Sequence, residues 1–158
     1  MNIVGETIGE ICKIILPIPE EVYFGNKESQ LAVCTLSSMN LLKKFADSEL
    51  LEKIAVAGRL LSENKGIDSM LDYLNNHRNI TTVIVCGKEV WGHKAGHSLF
   101  ELHKNGLDDN NRIINSASPD PYITSSKDRI QYFQDHIRLV NLIGEDDFEL
   151  VSNTIRNV

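Results

Sequence analysis

The segment CGKEVWGHKAGHSLFELHKNG, residues 86 to 106, sets His93 and His97 four residues apart among glycines. On a helix that spacing turns both imidazoles to one side, as a divalent metal site requires. A zinc hydrolase would carry glutamate directly after the first histidine, where Lys94 stands, and Glu89 is the one third ligand nearby. A phosphate loop needs lysine and then a hydroxyl after its second glycine. Gly87 and Gly92 have that spacing, but His93 holds the lysine position and Ala95 follows Lys94, so the register is wrong. The plainest alternative is that one or both histidines are partly exposed helix residues. Residue types alone leave the metal and helix-surface readings open.

Whatever these residues do, the elements around them must hold them in place. ITTVIVCG at 80 to 87 is β-branched and ends in glycine, which predicts a strand running into the histidine loop. LAVCTL (31 to 36) and IAVAG (54 to 58) predict short buried strands, RIINSA (112 to 117) another, and RLVNLIG (138 to 144) a last one. Between them, SSMNLLKKFADSELLEK predicts a helix capped by Ser37 or Ser38. KGIDSMLDYLNNH brings Ile67, Met70, Leu71 and Leu74 to one helix face. A helix after Gly92 runs through Leu99, Phe100 and Leu102 to a stop at Asn105 and Gly106. SSKDRIQYFQDHI turns Ile130, Phe133 and Ile137 inward, and DDFELVSNTIRNV predicts a terminal helix. Strands alternating with helices imply an α/β fold, a Rossmann-like three-layer sandwich around a mostly parallel sheet. Ligands in such sheets bind beyond the carboxyl ends of the strands, where the 87 to 96 loop falls.

The 158 residues suit one domain, 1 to 158, with an irregular leader over 1 to 20 that Pro17 and Pro19 interrupt. A net charge of -6 excludes a basic field for nucleic acid. No apolar run approaches the roughly 20 residues of a membrane span, and Glu6 and Glu10 do not suit a secretory signal. Cys12, Cys34 and Cys86 lack CxxC spacing and fit free core thiols in a reducing cytoplasm. His77, His103 and His136 read as solvated or core-packed.

TVIVCGKEVWGHKAGHSLFELHKNG resembles the central signature of the A subunit of tetrahydromethanopterin S-methyltransferase, approximately C-G-x-E-x-x-G-H-x-x-G-Q-S with L-x-x-N-G beyond. FGNKESQLAVCTLSS is similar to that family's first strand and turn, AVAGRLLSENKGID to its second strand and T-E-N-x-G-I segment, and IQYFQDHIRLVNLI to its late helix and strand. The likeness thus runs in order over about residues 21 to 145. It implies a corrinoid protein in which His93 binds the cobalt of a cobamide (cobalamin) from below. A neutral imidazole is a suitable Co(III) donor, and Gly92 and Gly96 would leave room for a flat macrocycle. Gly87, Glu89 and Ser98, with Ser62, Glu63 and Asn64, are then expected at the cofactor.

Three departures accompany the likeness. Trp91 stands where D-x-H-x-x-G cobalamin domains have an orienting aspartate, so Glu89 is the expected partner of His93, while Trp91 would cover the corrin edge or a partner surface. His97 replaces the family's glutamine. In INSASPDPYI, Asn115 and Ser118 replace glycines, which is expected to reshape the nucleotide-loop pocket. The activity implied is methyl carriage: Co(I) takes the group from a methylated tetrahydropterin or related donor, and methyl-Co(III) passes it to a thiol such as coenzyme M. Partner methyltransferase subunits would deliver and accept it, in the cytoplasm or at a membrane through those subunits, within the one-carbon metabolism of methanogenesis. The alternative is a corrinoid-free or corrinoid-sensing regulatory module of the same fold, motivated by the departures at His97, Asn115 and Ser118.

Overall fold

The computed structural model describes residues 22–158; the leader and Cys12 lie outside the described residues. Strands β1 (Tyr23–Phe24), β2 (Leu31–Cys34), β3 (Val56–Gly58), β4 (Thr82–Gly87) and β5 (Arg138–Ile143) form one sheet in the order β1-β3-β2-β4-β5. All pairings are parallel except that of β1, which runs antiparallel to β3 at the edge. The helices are α1 (Met39–Ala46), α2 (Lys65–Asn76), α3 (Ala95–Asn105), α4 (Lys127–His136) and α5 (Phe148–Asn157).

Period-two alternation divides the strand side chains between two cores. Ala32, Cys34, Val83 and Val85 meet Ile67, Leu71, Leu99 and Phe133 on the α2, α3 and α4 face. Leu31, Val33, Ile84 and Cys86 meet Phe45, Val151 and Ile155 on the α1 and α5 face. Helices on both faces account for central strands that read as unbroken apolar runs, and the arrangement is the expected Rossmann-like sandwich. Burial of each large aliphatic side chain stabilises this packing by about 1.5–3 kcal/mol. Desolvation pushes the Cys34 thiol up to about 12 and raises that of Cys86, so both are inert core thiols at neutral pH.

The chain steps from β2 outward to β3, then back past β2 to β4. That reversal opens a crevice between the carboxyl ends of β2 and β4. Gly87 ends β4 there with φ +78°, and a Cβ on it would come 2.3 Å from the Thr35 carbonyl oxygen. Only glycine fits both the backbone angle and the approach.

Several expected elements are different in the structure. RIINSA is not a strand: Ile113 and Arg112 make isolated bridges to Leu107 and Tyr122, because this loop lies against other loops and no sheet neighbour is available. The helix expected over 37 to 53 ends at Ala46; Ser48 then accepts the Leu50 amide and starts a separate 3₁₀ turn, Glu49–Lys53. Ser38 precedes α1 without capping it, since its hydroxyl accepts the Lys88 amide. The two-residue β1 has no sequence signal of its own. Among the other histidines, His77 stacks on Tyr73 and His136 on Tyr132, while His103 packs edge-on against Phe133 and bonds the Ile137 carbonyl.

Candidate functional site

His93 lies two residues before α3, not within it. Lys94, in the left-handed region at φ 49°, ψ 47°, turns the chain into the helix, so the premise of two imidazoles on one helical face fails. The two histidines have separate partners. His93 Nδ1 is 2.9 Å from Glu63 Oε2, and a carboxylate only accepts, so Nδ1 carries the proton. Among the described residues none engages Nε2, and the imidazole is 49% exposed whereas Glu63 is 1% exposed. His97 Nε2 instead accepts the Ala117 amide at 3.2 Å. Among the described residues no group of three or more His, Cys, Asp or Glu is placed to hold a metal ion, so a protein-only zinc site is not built here.

Glu63 is the orienting partner that Glu89 was expected to be. Glu63 follows β3 and His93 follows β4, and both leave the sheet at its carboxyl edge. Its second oxygen accepts the Asp120 amide at 3.0 Å, so the buried carboxylate has two donors. Glu89 turns the other way: its oxygens accept the amides of Gly96 at 3.0 Å and His97 at 2.7 Å, capping the N-terminus of α3.

The glycines divide in the same manner. Gly96 is not clearance for a ligand, because a Cβ there would meet Glu89 Oε1 at 2.8 Å and the Leu36 and Ile143 methyls at 3.1 Å. Gly92 has φ +82°, and a Cβ there would find nothing within 4 Å, so this glycine faces open space beside His93. Trp91 next to it is 95% exposed.

Of the remaining expected site residues, Ser62 accepts the Gly66 amide at 2.8 Å, and Asn64 caps α2 while donating to Asp120. Both spend their side chains on the turn that presents Glu63. Ser98 is 0% exposed and bonds Ser116 and Ser118. Asn115 has φ 63°, so it takes the left-handed conformation for which glycine is the usual residue. The 116 to 120 loop, which touches Glu63, His93 and His97, was visible in the sequence only as a departure from the family pattern.

The fold and the site together define a Rossmann-like α/β domain that presents one carboxylate-oriented histidine at the carboxyl edge of its sheet. The family model for the A subunit of tetrahydromethanopterin S-methyltransferase matches residues 16–158, and the chain belongs to that family. The first-numbered A subunit of this enzyme in Methanothermobacter marburgensis is 36% identical over 134 residues, covering 84% of this chain and 54% of that protein. The A subunit of the Mtx methyltransferase of Methanosarcina barkeri, provisionally so named, is 34% identical over 84% of this chain and 64% of its own length. The second-numbered A subunit of the tetrahydromethanopterin enzyme in Methanothermobacter thermautotrophicus is 30% identical over 89% of this chain and 79% of that protein. The chain thus spans less than two thirds of the length of the first two. Among the described residues no helix is long and apolar enough to cross a membrane.

Proposed function

We propose that this chain is a corrinoid-binding methyl carrier in which His93 gives the lower axial nitrogen to the cobalt of a cobamide. The supporting observation is the His93–Glu63 pair, with Nδ1 committed to a buried carboxylate and Nε2 open on a half-exposed ring. Metal-binding histidines have this form, in which one nitrogen is held by a carboxylate and the lone pair of the other points outward. The cobamide, when bound, would supply a centre able to take a methyl group from a methylated tetrahydropterin or related donor and yield it to a thiolate such as that of coenzyme M. Glu63 fixes the tautomer and the aim of the ring. Gly92 keeps the loop surface beside the ring free of side chains, as a broad planar ligand requires. Partner subunits would bring the methyl donor and acceptor, in the cytoplasm or at a membrane to which they are bound.

The test uses aquacobinamide, which has no nitrogenous base of its own. Protein loaded with it and reduced to Co(II) is expected to show nitrogen superhyperfine splitting in its electron paramagnetic resonance spectrum, lost in His93→Ala. Absence of splitting in the wild type, or its persistence in the variant, refutes the ligand assignment. The alternative is a corrinoid-free or corrinoid-sensing module, which finds support in the fastening of the 116 to 118 loop by Ser118 and His97. It predicts that desalting leaves no corrinoid on the protein, or that corrinoid binds without any methyl transfer when donor and partner subunits are added.

A further inference from the structure

Three buried hydroxyls lie under the His93 loop. Ser98 Oγ is 2.7 Å from Ser116 Oγ and 2.6 Å from Ser118 Oγ, and Ser118 Oγ reaches the His93 carbonyl at 2.5 Å, with the Lys94 carbonyl at 3.1 Å. Ser98 is 0%, Ser118 4% and Ser116 6% exposed. Each hydroxyl has one proton to donate, which decides the direction of the chain. A carbonyl only accepts, so Ser118 donates to His93. The Ser118 hydroxyl oxygen can then accept from Ser98, and Ser98 can accept from Ser116. Ser116 Oγ in turn accepts the Ser118 amide at 3.1 Å. Every proton is used once, and the chain runs Ser116 to Ser98 to Ser118 to the His93 carbonyl. Hydrogen bonds aligned in this way polarise and strengthen one another.

The carbonyl at the end of that chain needs it. The Lys94 carbonyl already accepts the first α3 bond, from the Ser98 amide at 3.0 Å, whereas the His93 carbonyl precedes the helix and has no helical donor. We infer that Ser118 is a positioning residue for His93. It fixes the peptide from which the imidazole projects, while Glu63 fixes the ring. The two restraints share one loop, because the Asp120 amide two residues beyond Ser118 holds Glu63. Without Ser118 the ring keeps its carboxylate partner and the His93 amide its bond to the Val90 carbonyl at 3.1 Å, but the peptide that joins His93 to Lys94, the left-handed residue, loses its side-chain restraint. This inference rests on His93 being the axial ligand only for its functional consequence; the geometric claim stands by itself.

Two measurements test it separately. In ligand-free protein labelled with ¹⁵N-histidine, the His93 Nδ1 proton is expected to exchange with water about five- to tenfold faster in Ser118→Ala, the effect of losing one net hydrogen bond. Ser118→Thr, which keeps the hydroxyl, should restore it. Ser152→Ala is the control: Ser152 is equally buried, and its hydroxyl bonds the Phe148 carbonyl within α5. An exchange rate in Ser118→Ala equal to that of wild type, in protein of native circular dichroism, overturns the inference, as does an equal acceleration in Ser152→Ala. In the cobinamide-loaded Co(II) protein, Ser118→Ala should lower the nitrogen-coupled fraction by a similar factor, and Ser118→Thr should recover it. Coupling that is lost in His93→Ala but unchanged in Ser118→Ala overturns the positioning role and leaves the ligand assignment standing. Coupling absent from wild type refutes the ligand assignment, and the exchange measurement still decides the role of Ser118.

Discussion

Replacing Glu63 by glutamine changes almost no volume yet is expected to reverse the tautomer of His93. The Glu63 carboxylate accepts on both sides, from His93 Nδ1 at 2.9 Å and from the Asp120 amide at 3.0 Å. Glutamine offers one acceptor oxygen and one donor nitrogen. If the oxygen stays on the Asp120 amide, the NH₂ group faces Nδ1 and forces it to accept, which moves the ring proton to Nε2 and removes the outward lone pair. If the oxygen turns to His93, two donors confront each other at Asp120. The second arrangement leaves the buried Asp120 amide facing a donor, which favours the first, and loss of a charge-assisted bond of about 1.5–3 kcal/mol should then lower the population presenting a free Nε2 lone pair by about 10- to 150-fold. The assay is ¹⁵N NMR of histidine-labelled, ligand-free protein at pH 8, where the two ring nitrogens differ strongly in chemical shift according to protonation. Wild type should give a protonated Nδ1 and a bare Nε2. The same pattern in Glu63→Gln would show that the carboxylate does not set the tautomer and would refute the reasoning.

Other consequences can be measured on stability and reactivity. Glu89→Ala should cost about 1 kcal/mol by uncapping α3, and Gly96→Ala about 1–3 kcal/mol by driving the same carboxylate off its amides. Because both act through one contact, urea denaturation of the double variant should give less than the sum of the single losses, and full additivity would count against the shared cap. Cys34 and Cys86 should resist an aromatic disulfide reagent at pH 8 in a Cys12→Ser background and react only in guanidinium; fast labelling of the native protein would contradict their burial. Burial acts to raise the Asp68 carboxyl, but hydrogen bonds from Ser125 and Thr124 outweigh it and hold the group below its ordinary value of 3.8. A carboxylate depressed in this way contributes stability above that ordinary value and loses it as pH falls through the folded-state value. Asp68→Asn should therefore lower Tm by about 3 °C at pH 7 through the weakened bonds, with the difference from wild type shrinking towards pH 3.

The parts of this fold that could be read in the sequence are those whose physics is local or periodic. The β-branched run of β4, the α2 stripe of Ile67, Leu71 and Leu74, and the stop at Gly106 all appear where their patterns place them. RIINSA carries the same propensity as the strands but has no neighbour to pair with, and propensity without a partner does not make a ladder. The site was legible only in part, for a related reason. His93 stands inside a contiguous motif, whereas Glu63 is 30 positions away and reaches it only because β3 and β4 end at the same edge of the sheet. Glu89 was the nearer carboxylate in sequence, but the α3 amides compete for it. The open N-terminus of a helix offers two donors to a carboxylate at once, where an imidazole offers one.

Trp91 is the sole tryptophan of the chain and stands 95% exposed two residues from His93. Its emission is therefore that of a water-exposed indole, long in wavelength and open to external quenchers. A strongly absorbing ligand or a partner surface settling on the loop would dim that emission or shield it, with no label attached. The protein thus carries its own optical reporter at the loop in question, and stopped-flow fluorescence could time an encounter there.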